Sequence, residues 1–194
     1  MTMRTNCIFF YVTTVFSCFV FSVSYDPKDF VKLHDQGRVR LQKGEVLGQP
    51  CARNMPPVVW DNELAEKAQK WASKCQAGHD SNSERKTKKF DLVGQNWAGG
   101  YDLQGAFNAW FDEYRNYNYA NRSCTGVCGH YTQIVWNETT HIGCGFARCP
   151  SQPWRHAFVC NYGPAGNMRM RTLNGAIIVL PPYEESSTCP GHLK

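Results

Sequence analysis

The chain has 194 residues, of which 19% are charged and 13% aromatic, with ten cysteines and a formal net charge of +5. Such a composition excludes a disordered or low-complexity chain, because there is enough apolar and aromatic surface to bury a core. The length suits one principal domain, and the mild basicity falls far short of the dense Lys/Arg stripe of a nucleic-acid binder, so no nucleic acid is expected as a partner.

Residues 1–24 read as a secretory signal peptide. Arg4 gives a positive start, Ile8 to Val23 is almost wholly apolar or hydroxylic, and Ser22-Val23-Ser24 offers small residues for cleavage. The alternative is a membrane anchor, but a span needs ~20 predominantly apolar residues. This run is shorter and contains Thr13, Thr14, Ser17 and Ser22. Ala176 to Leu180 is only a strand's worth of apolar sequence, so no transmembrane anchor is expected and the mature chain should be secreted. Without residues 1–24, 170 residues and eight cysteines remain, with a net charge of +4. In an oxidising compartment eight cysteines suggest four disulfides, whose connectivity spacing alone leaves open. The sequons at Asn121 and Asn137 agree with that compartment, and each predicts an exposed segment.

From Phe30 to Lys43 apolar residues recur at helical spacing (Val31, Leu33, Val39, Leu41), and Gly44, Gly48 and Pro50 mark where the helix must end. A second helix follows Pro56-Pro57, with Asp61 as N-cap and a stripe of Leu64, Ala68, Trp71, Ala72 and Cys75, and is expected to run to Gly78. Arg85-Lys86-Thr87-Lys88-Lys89 reads as a solvated loop. Phe90 to Ala98 reads as a strand stopped by Gly99-Gly100. The next helix starts near Asp102, and Leu103, Ala106, Phe107, Trp110, Phe111 and Tyr114 give it a broad aromatic face. After a polar loop from Asn116 to Gly129 come Tyr131 to Trp136, Ile142 to Ala147 and Ala157 to Tyr162, which read as strands and one short helix. Helices on both sides of a mostly antiparallel sheet would bury all these faces, so an α+β fold is expected, a three-layer α-β-α sandwich stapled by disulfides. The tail from Met168 lacks a helical period, and its Cys189 can only staple back onto the body.

Three polar side chains do not fit a bland core. Glu113 falls at the edge of the aromatic face, His79 lies just past the second helix, and His130 follows the glycine after Cys128. A carboxylate and two imidazoles are a metal set in type, because Zn²⁺ takes His nitrogen and carboxylate oxygen. The spacing itself favours histidines held by hydrogen bonds, since the two are 51 residues apart and no H-E-x-x-H is present. No G-x-S-x-G supplies a nucleophile elbow, and all eight mature cysteines are better explained as disulfide partners than as nucleophiles.

The octapeptide Gly129-His130-Tyr131-Thr132-Gln133-Ile134-Val135-Trp136 resembles one signature of the CAP superfamily, which comprises cysteine-rich secretory proteins, venom allergens and plant pathogenesis-related proteins. The stretch from His156 to Asn167 is similar to its other signature, and Trp60-Asp61, Leu64 and Trp71-Ala72 sit in the family's order. Within the superfamily the chain looks most like the venom-allergen-like proteins secreted by parasitic worms. The resemblance implies a CAP domain over residues 25–167, followed by a C-terminal extension, 168–194, tied back by a disulfide. It implies a cleft lined by two histidines and two acids. His79, His130 and Glu113 match, whereas Gln95 stands where the family usually has glutamate. A neutral amide cannot serve as a general base, so the resemblance implies no catalytic residues here and at most a weak divalent-cation site for Zn²⁺ that is not required. It also implies the pairs Cys75–Cys149, Cys124–Cys128 and Cys144–Cys160, which leaves Cys51 with Cys189.

Members of this family bind sterols and fatty acids. The resemblance places Tyr117 and Tyr119 in the sterol-binding loop and makes Trp110, Phe111 and Tyr114 candidate walls of an apolar channel. The expected function is therefore a secreted, non-enzymatic binder of sterols and fatty acids with host or immune modulation as its outcome. The alternatives are a zinc-dependent hydrolase at the cleft and an interaction module for an extracellular protein or receptor.

Overall fold

The structure is a computed structural model and describes residues 25–189. The signal peptide assigned to residues 1–24 lies outside the described residues, as does the end of the extension from Pro190. In chain order the elements are α1 (Asp29–Gln42), β1 (Val59–Trp60), α2 (Asn62–Ala72), the short α3 (Asn82–Arg85), β2 (Gly94–Gly99), α4 (Leu103–Phe111), β3 (Tyr117–Asn118), β4 (Ser123–Cys124), α5 (Gly129–Ile134), β5 (His141–Cys149), β6 (Arg155–Gly163), β7 (Arg169–Arg171) and β8 (Ile177–Val179).

Four strands form the central sheet in the order β1-β5-β6-β2, in which only the β1–β5 pair is parallel. α2 covers one face of this sheet, while α1, α4 and α5 pack together on the other. The result is the three-layer α-β-α sandwich with a mostly antiparallel sheet. It carries four disulfides, Cys51–Cys189, Cys75–Cys149, Cys124–Cys128 and Cys144–Cys160. Cys144 and Cys160 are themselves paired positions of β5 and β6.

α2 lies unusually close to β5 because the strand presents glycine to it. A Cβ on Gly143 would come within 2.6 Å of Asp61 O and Leu64 C, and one on Gly145 within 2.7 Å of Ala68 C. On the other face of the sheet, large rings fill the space: Phe30, Phe107, Trp110, Phe111, Phe158 and Tyr162 share one core cluster. α1 contributes Phe30, Leu33, His34, Gly37, Arg38 and Leu41 to that face, a 3.6-residue repeat, and leaves Val39 exposed. Val39 is one of the apolar positions at helical spacing in the sequence, but the buried face does not include it. Polar residues displaced it, because each finds partners inside. His34 Nδ1 donates to Phe30 O at 2.7 Å, so its Nε2 accepts from the Tyr162 hydroxyl at 2.9 Å. Burial holds that ring neutral, with a pKa lowered to about 3. Arg38 donates to Ile134 O, Pro56 O, Thr139 O and Trp136 O at 2.7–3.0 Å. The guanidinium thereby ties α1 to the carbonyl end of α5, where positive charge is favoured.

Several element boundaries differ from the sequence expectation. α2 stops at Ala72, well before Gly78, because Cys75 takes a left-handed φ of 50° and bonds to Cys149. β2 begins at Gly94, not Phe90. Its partner β6 ends at Gly163 and continues into Pro164, which has no N–H to extend the ladder. Phe90 and Val93 instead pack with Leu64. α4 ends at Phe111 and tightens into a 3₁₀ turn over Asp112–Asn116, which carries Glu113 and the buried Tyr114. The polar loop contains the small β3–β4 pair, and the tail from Met168 forms the β7–β8 hairpin.

Candidate functional site

β2 is an edge strand, and successive residues on a strand point to opposite faces. Gln95 therefore faces the α2 layer and Asn96 the opposite layer, and each meets one histidine. Asn96 Nδ2 donates to His130 O at 3.1 Å, while His79 Nδ1 lies 2.9 Å from Gln95 Oε1. The two imidazoles are thus brought together across one edge of the sheet, with ring centroids 6.3 Å apart.

The His79 side is built from a chain of amides. The Leu64 carbonyl can only accept, so it receives Asn161 Nδ2 at 3.2 Å. Asn161 Oδ1 then accepts from Gln95 Nε2 at 2.9 Å, and the same Nε2 donates to Asp80 Oδ1 at 3.0 Å. Gln95 Oε1 is left facing His79, which fixes Nδ1 as the protonated nitrogen and frees Nε2. Asp80 is buried and pairs with Arg85 Nη1 at 3.1 Å, with side chains 5% and 14% exposed. Arg85 is delivered by α3, whose Ser81 and Glu84 form a reciprocal capping box. Part of the run read as a solvated loop is therefore inside the protein: Arg85 is held because Asp80 needs a cation.

The His130 side rests on Glu113. One carboxylate oxygen accepts from His130 Nδ1 at 2.6 Å, and the other accepts from the backbone N–H groups of His130 and Tyr131 at 2.9 and 3.4 Å. Glu113 thus orients the ring and satisfies the first donors of α5. The Trp110 ring lies 6.2 Å from His130 and is itself held by a bond from its Nε1 to Trp97 O. Both Nδ1 atoms are engaged, so the Nε2 atoms of His79 and His130 are the ones that can take a ligand. Among the described residues no three His, Cys, Asp or Glu side chains converge on one ion.

The aromatic residues singled out by sequence occupy two settings. Trp110 and Phe111 are fully buried in the main core, and Tyr114 nearly so. Tyr117 is also buried, under the short loop closed by Cys124–Cys128, while Tyr119 is half-buried and stacks on Tyr183 at 4.8 Å. The Tyr117 and Tyr114 ring centroids each lie 6.1 Å from that of Tyr131, so five tyrosines form one run of tilted, edge-to-face and stacked contacts. Tyr183 comes from the C-terminal extension.

Comparison with known proteins matches residues 31–162 to the cysteine-rich secretory protein family. The chain belongs to this family. It is 40% identical over 154 residues to venom allergen 5 of Vespa velutina, covering 72% of this chain and 75% of that protein. It is 37% identical over 149 residues to GLIPR1-like protein 1 of Homo sapiens, covering 72% of this chain but only 58% of the human protein. The structure of Schistosoma mansoni venom allergen-like protein 4 superposes with a TM-score of 0.71 at 30% identity, covering 84% of this chain and 97% of that one. NaASP2, solved with Zn²⁺, gives a TM-score of 0.65 at 26% identity, covering 84% of this chain and 87% of that one.

The cleft residues missed by sequence reasoning are Asp80, Arg85 and Asn161. The signal for the first two was present, since Ser81-Asn82-Ser83-Glu84 is a capping-box pattern that places Asp80 and Arg85 at either end of one turn. Asn161 carried no local signal. Asn121 is exposed in its loop, as its sequon predicts, while the second sequon is exposed only in part, at Glu138. Asn137 is half-buried, and the Thr139 hydroxyl is buried, accepting from Gln133 Nε2 and donating to Pro164 O. Among the described residues no helix is long and apolar enough to cross a membrane.

Proposed function

We propose that the protein is a secreted, non-enzymatic carrier of sterols and fatty acids. The observation that carries this reading is the tyrosine cluster under the 117–124 loop. Four of its five rings are packed in the core, and the half-buried fifth, Tyr119, leaves part of an apolar ring at the rim as a ledge for a fused-ring lipid. Burying such a lipid is favourable by about 25 cal/mol per Å² of apolar area and needs no reacting group. The leader reading and the four disulfides support an extracellular setting, and modulation of a host through captured lipid, or through an extracellular receptor, is the biological outcome this reading favours.

The cleft supports the non-enzymatic half of the proposal. Gln95 offers no base, Glu113 is committed to His130 and α5, and Asp80 is committed to Arg85 and Gln95. Zn²⁺ fits there weakly and is not required: the Nε2 atoms of His79 and His130 would hold it, with Glu113 orienting one ring from behind. A bound ion would supply Lewis-acid character. The likeness to NaASP2, a structure solved with Zn²⁺, is in keeping with a zinc ion on this fold.

The test is binding of labelled cholesterol and palmitate to the purified protein, beside a known carrier. Binding of both is expected, and Tyr119→Ala should weaken cholesterol binding about tenfold by removing the half-buried ring at the rim, an effect of the size seen for aromatic contacts that bury apolar area. No binding of either lipid while the control binds would overturn the proposal. Sustained cleavage of peptide or ester substrates with added Zn²⁺ would overturn its non-enzymatic part.

A further inference from the structure

The β7–β8 hairpin stands outside both settings described above. Between Gly163 and Tyr183 the chain contains no Asp or Glu, and its only charges are Arg169 and Arg171. The ladder pairs Arg169 with Val179, Met170 with Ile178, and Arg171 with Ile177. Directly opposed residues share a face, so one face carries two arginines flanking Ile177 and Val179. The turn between the strands carries Leu173 at its end.

Much of this apolar surface is open to solvent. Leu173 is fully exposed, Ile177 is 60% exposed, Met170 49% and Val179 38%. Scattered exposed aliphatics need no explanation, but four within ten residues on one projecting hairpin do. An isolated two-stranded hairpin is also marginal in water. This one is braced by its turn, where Thr172 N and Oγ1 both donate to Ala176 O and Gly175 adopts a φ of +85°. At its base Leu180 N donates to Met168 O, and Arg122 reaches across from the 117–124 loop to Val179 O at 3.4 Å. The tip is therefore held out by local bonds rather than by burial.

We propose that this hairpin docks the protein on the surface of an anionic phospholipid bilayer. Leu173 and Ile177 enter the headgroup boundary while Arg169 and Arg171 meet lipid phosphates. Charge decides between occupants. A second copy would bring arginine against arginine across a symmetric contact, whereas an anionic membrane satisfies both the cations and the apolar tip. The inference stands apart from lipid carriage, since a surface dock needs no internal lipid site, and the two fail separately.

The test uses the purified protein with phosphatidylcholine vesicles, with and without phosphatidylserine, read by co-sedimentation. Since Arg122 follows the Asn121 sequon, the protein is measured before and after enzymatic removal of N-glycans. Binding is expected only to the phosphatidylserine vesicles, falling with added salt. R169E/R171E should weaken it by at least about fivefold per arginine. Leu173→Asp should abolish it while leaving the melting temperature and the cholesterol and palmitate binding unchanged. Vesicle addition should slow amide exchange in residues 170–178. The proposal is overturned if neither glycoform prefers the anionic vesicles, or if Leu173→Asp binds them like the parent. It is also overturned if sedimentation equilibrium shows self-association that Leu173→Asp removes, because the hairpin is then a contact between copies.

Discussion

Gln95 is surrounded by groups that need a donor. Asp80 Oδ1 and Asn161 Oδ1 both accept from its Nε2, and Asn161 cannot turn around without setting its Oδ1 against the Leu64 carbonyl. A glutamate at this position would replace that donor with a second acceptor oxygen and set a second carboxylate beside Asp80, offset only in part by the His79 Nδ1 donor at 2.9 Å and by Arg85 Nη1, 3.4 Å from Oε1. Gln95→Glu should therefore destabilise the fold by about 3 kcal/mol at neutral pH, the scale of losing hydrogen bonds to buried acceptors. The dependence on pH has a definite sign. Burial and Asp80 would raise the folded-state pKa of the introduced carboxyl above its unfolded value, so the loss is present above that raised pKa. It fades as pH falls, and vanishes below about pH 4, where the carboxyl is protonated in both states. Thermal melts across that range check this, and Q95E/D80N should recover part of the loss. An equal loss at every pH would mean that the amide chain is not what holds position 95. The departure from glutamate was legible in sequence. Its cause was not, because the partners lie 15 and 66 residues away along the chain.

The contact of α2 with β5 shows what periodicity does and does not reveal about an element. The stripe of Leu64, Ala68, Trp71 and Ala72 was readable at helical spacing, and Asp61 indeed caps the helix by accepting from Leu64 N at 2.9 Å. The strand's side of the same contact was hidden, because glycine in a short apolar run reads as turn punctuation. Gly143 and Gly145 are instead the floor on which the helix backbone rests. Gly143→Ala would drive a methyl into Asp61 O and the Leu64–Ala65 peptide, all of it backbone with no side chain to swing away. Overpacking of a core typically costs about 1–3 kcal/mol, and this site belongs at or above about 3 kcal/mol. Urea denaturation should show a midpoint lowered accordingly with little change in slope. An unchanged midpoint would place α2 farther from the sheet than described. The same displacement would propagate to Leu64 O and so to the amide chain that orients His79.

At the scale of the whole molecule, the C-terminal extension enters the core at Pro182 and Tyr183 and is not merely an appendage. Pro182 O accepts from Asn137 N, Glu184 O from Arg53 N, and Cys51 O from Ser186 N, so residues 182–186 strap the loop after α1 to the loop after α5. Tyr183 is 1% exposed, and its hydroxyl donates to Pro50 O at 3.1 Å, while the Tyr119 hydroxyl donates to Tyr183 O at 2.8 Å. The even cysteine count announced a stapled tail. The strap itself left no trace in the sequence, because Pro181-Pro182-Tyr183 has neither helical nor strand period, and its bonds are all to residues distant in the chain. The Cys51–Cys189 bridge spans 138 residues, but the loop it closes is shorter once Cys75–Cys149 is in place. In the chain-entropy view that loop is worth about 4 kcal/mol. C51A/C189A should therefore lower the melting temperature substantially while keeping one cooperative transition, since the strap and Tyr183 still fasten the tail in the folded state. Adding Tyr183→Ala should cost a further ~3–5 kcal/mol, the range for emptying a buried aromatic site. It should also weaken cholesterol binding, because Tyr119 loses the ring it stacks on. If instead the double cysteine variant melts in two steps, with the tail leaving first, the extension is fastened by sulfur alone and the tyrosine cluster does not depend on it.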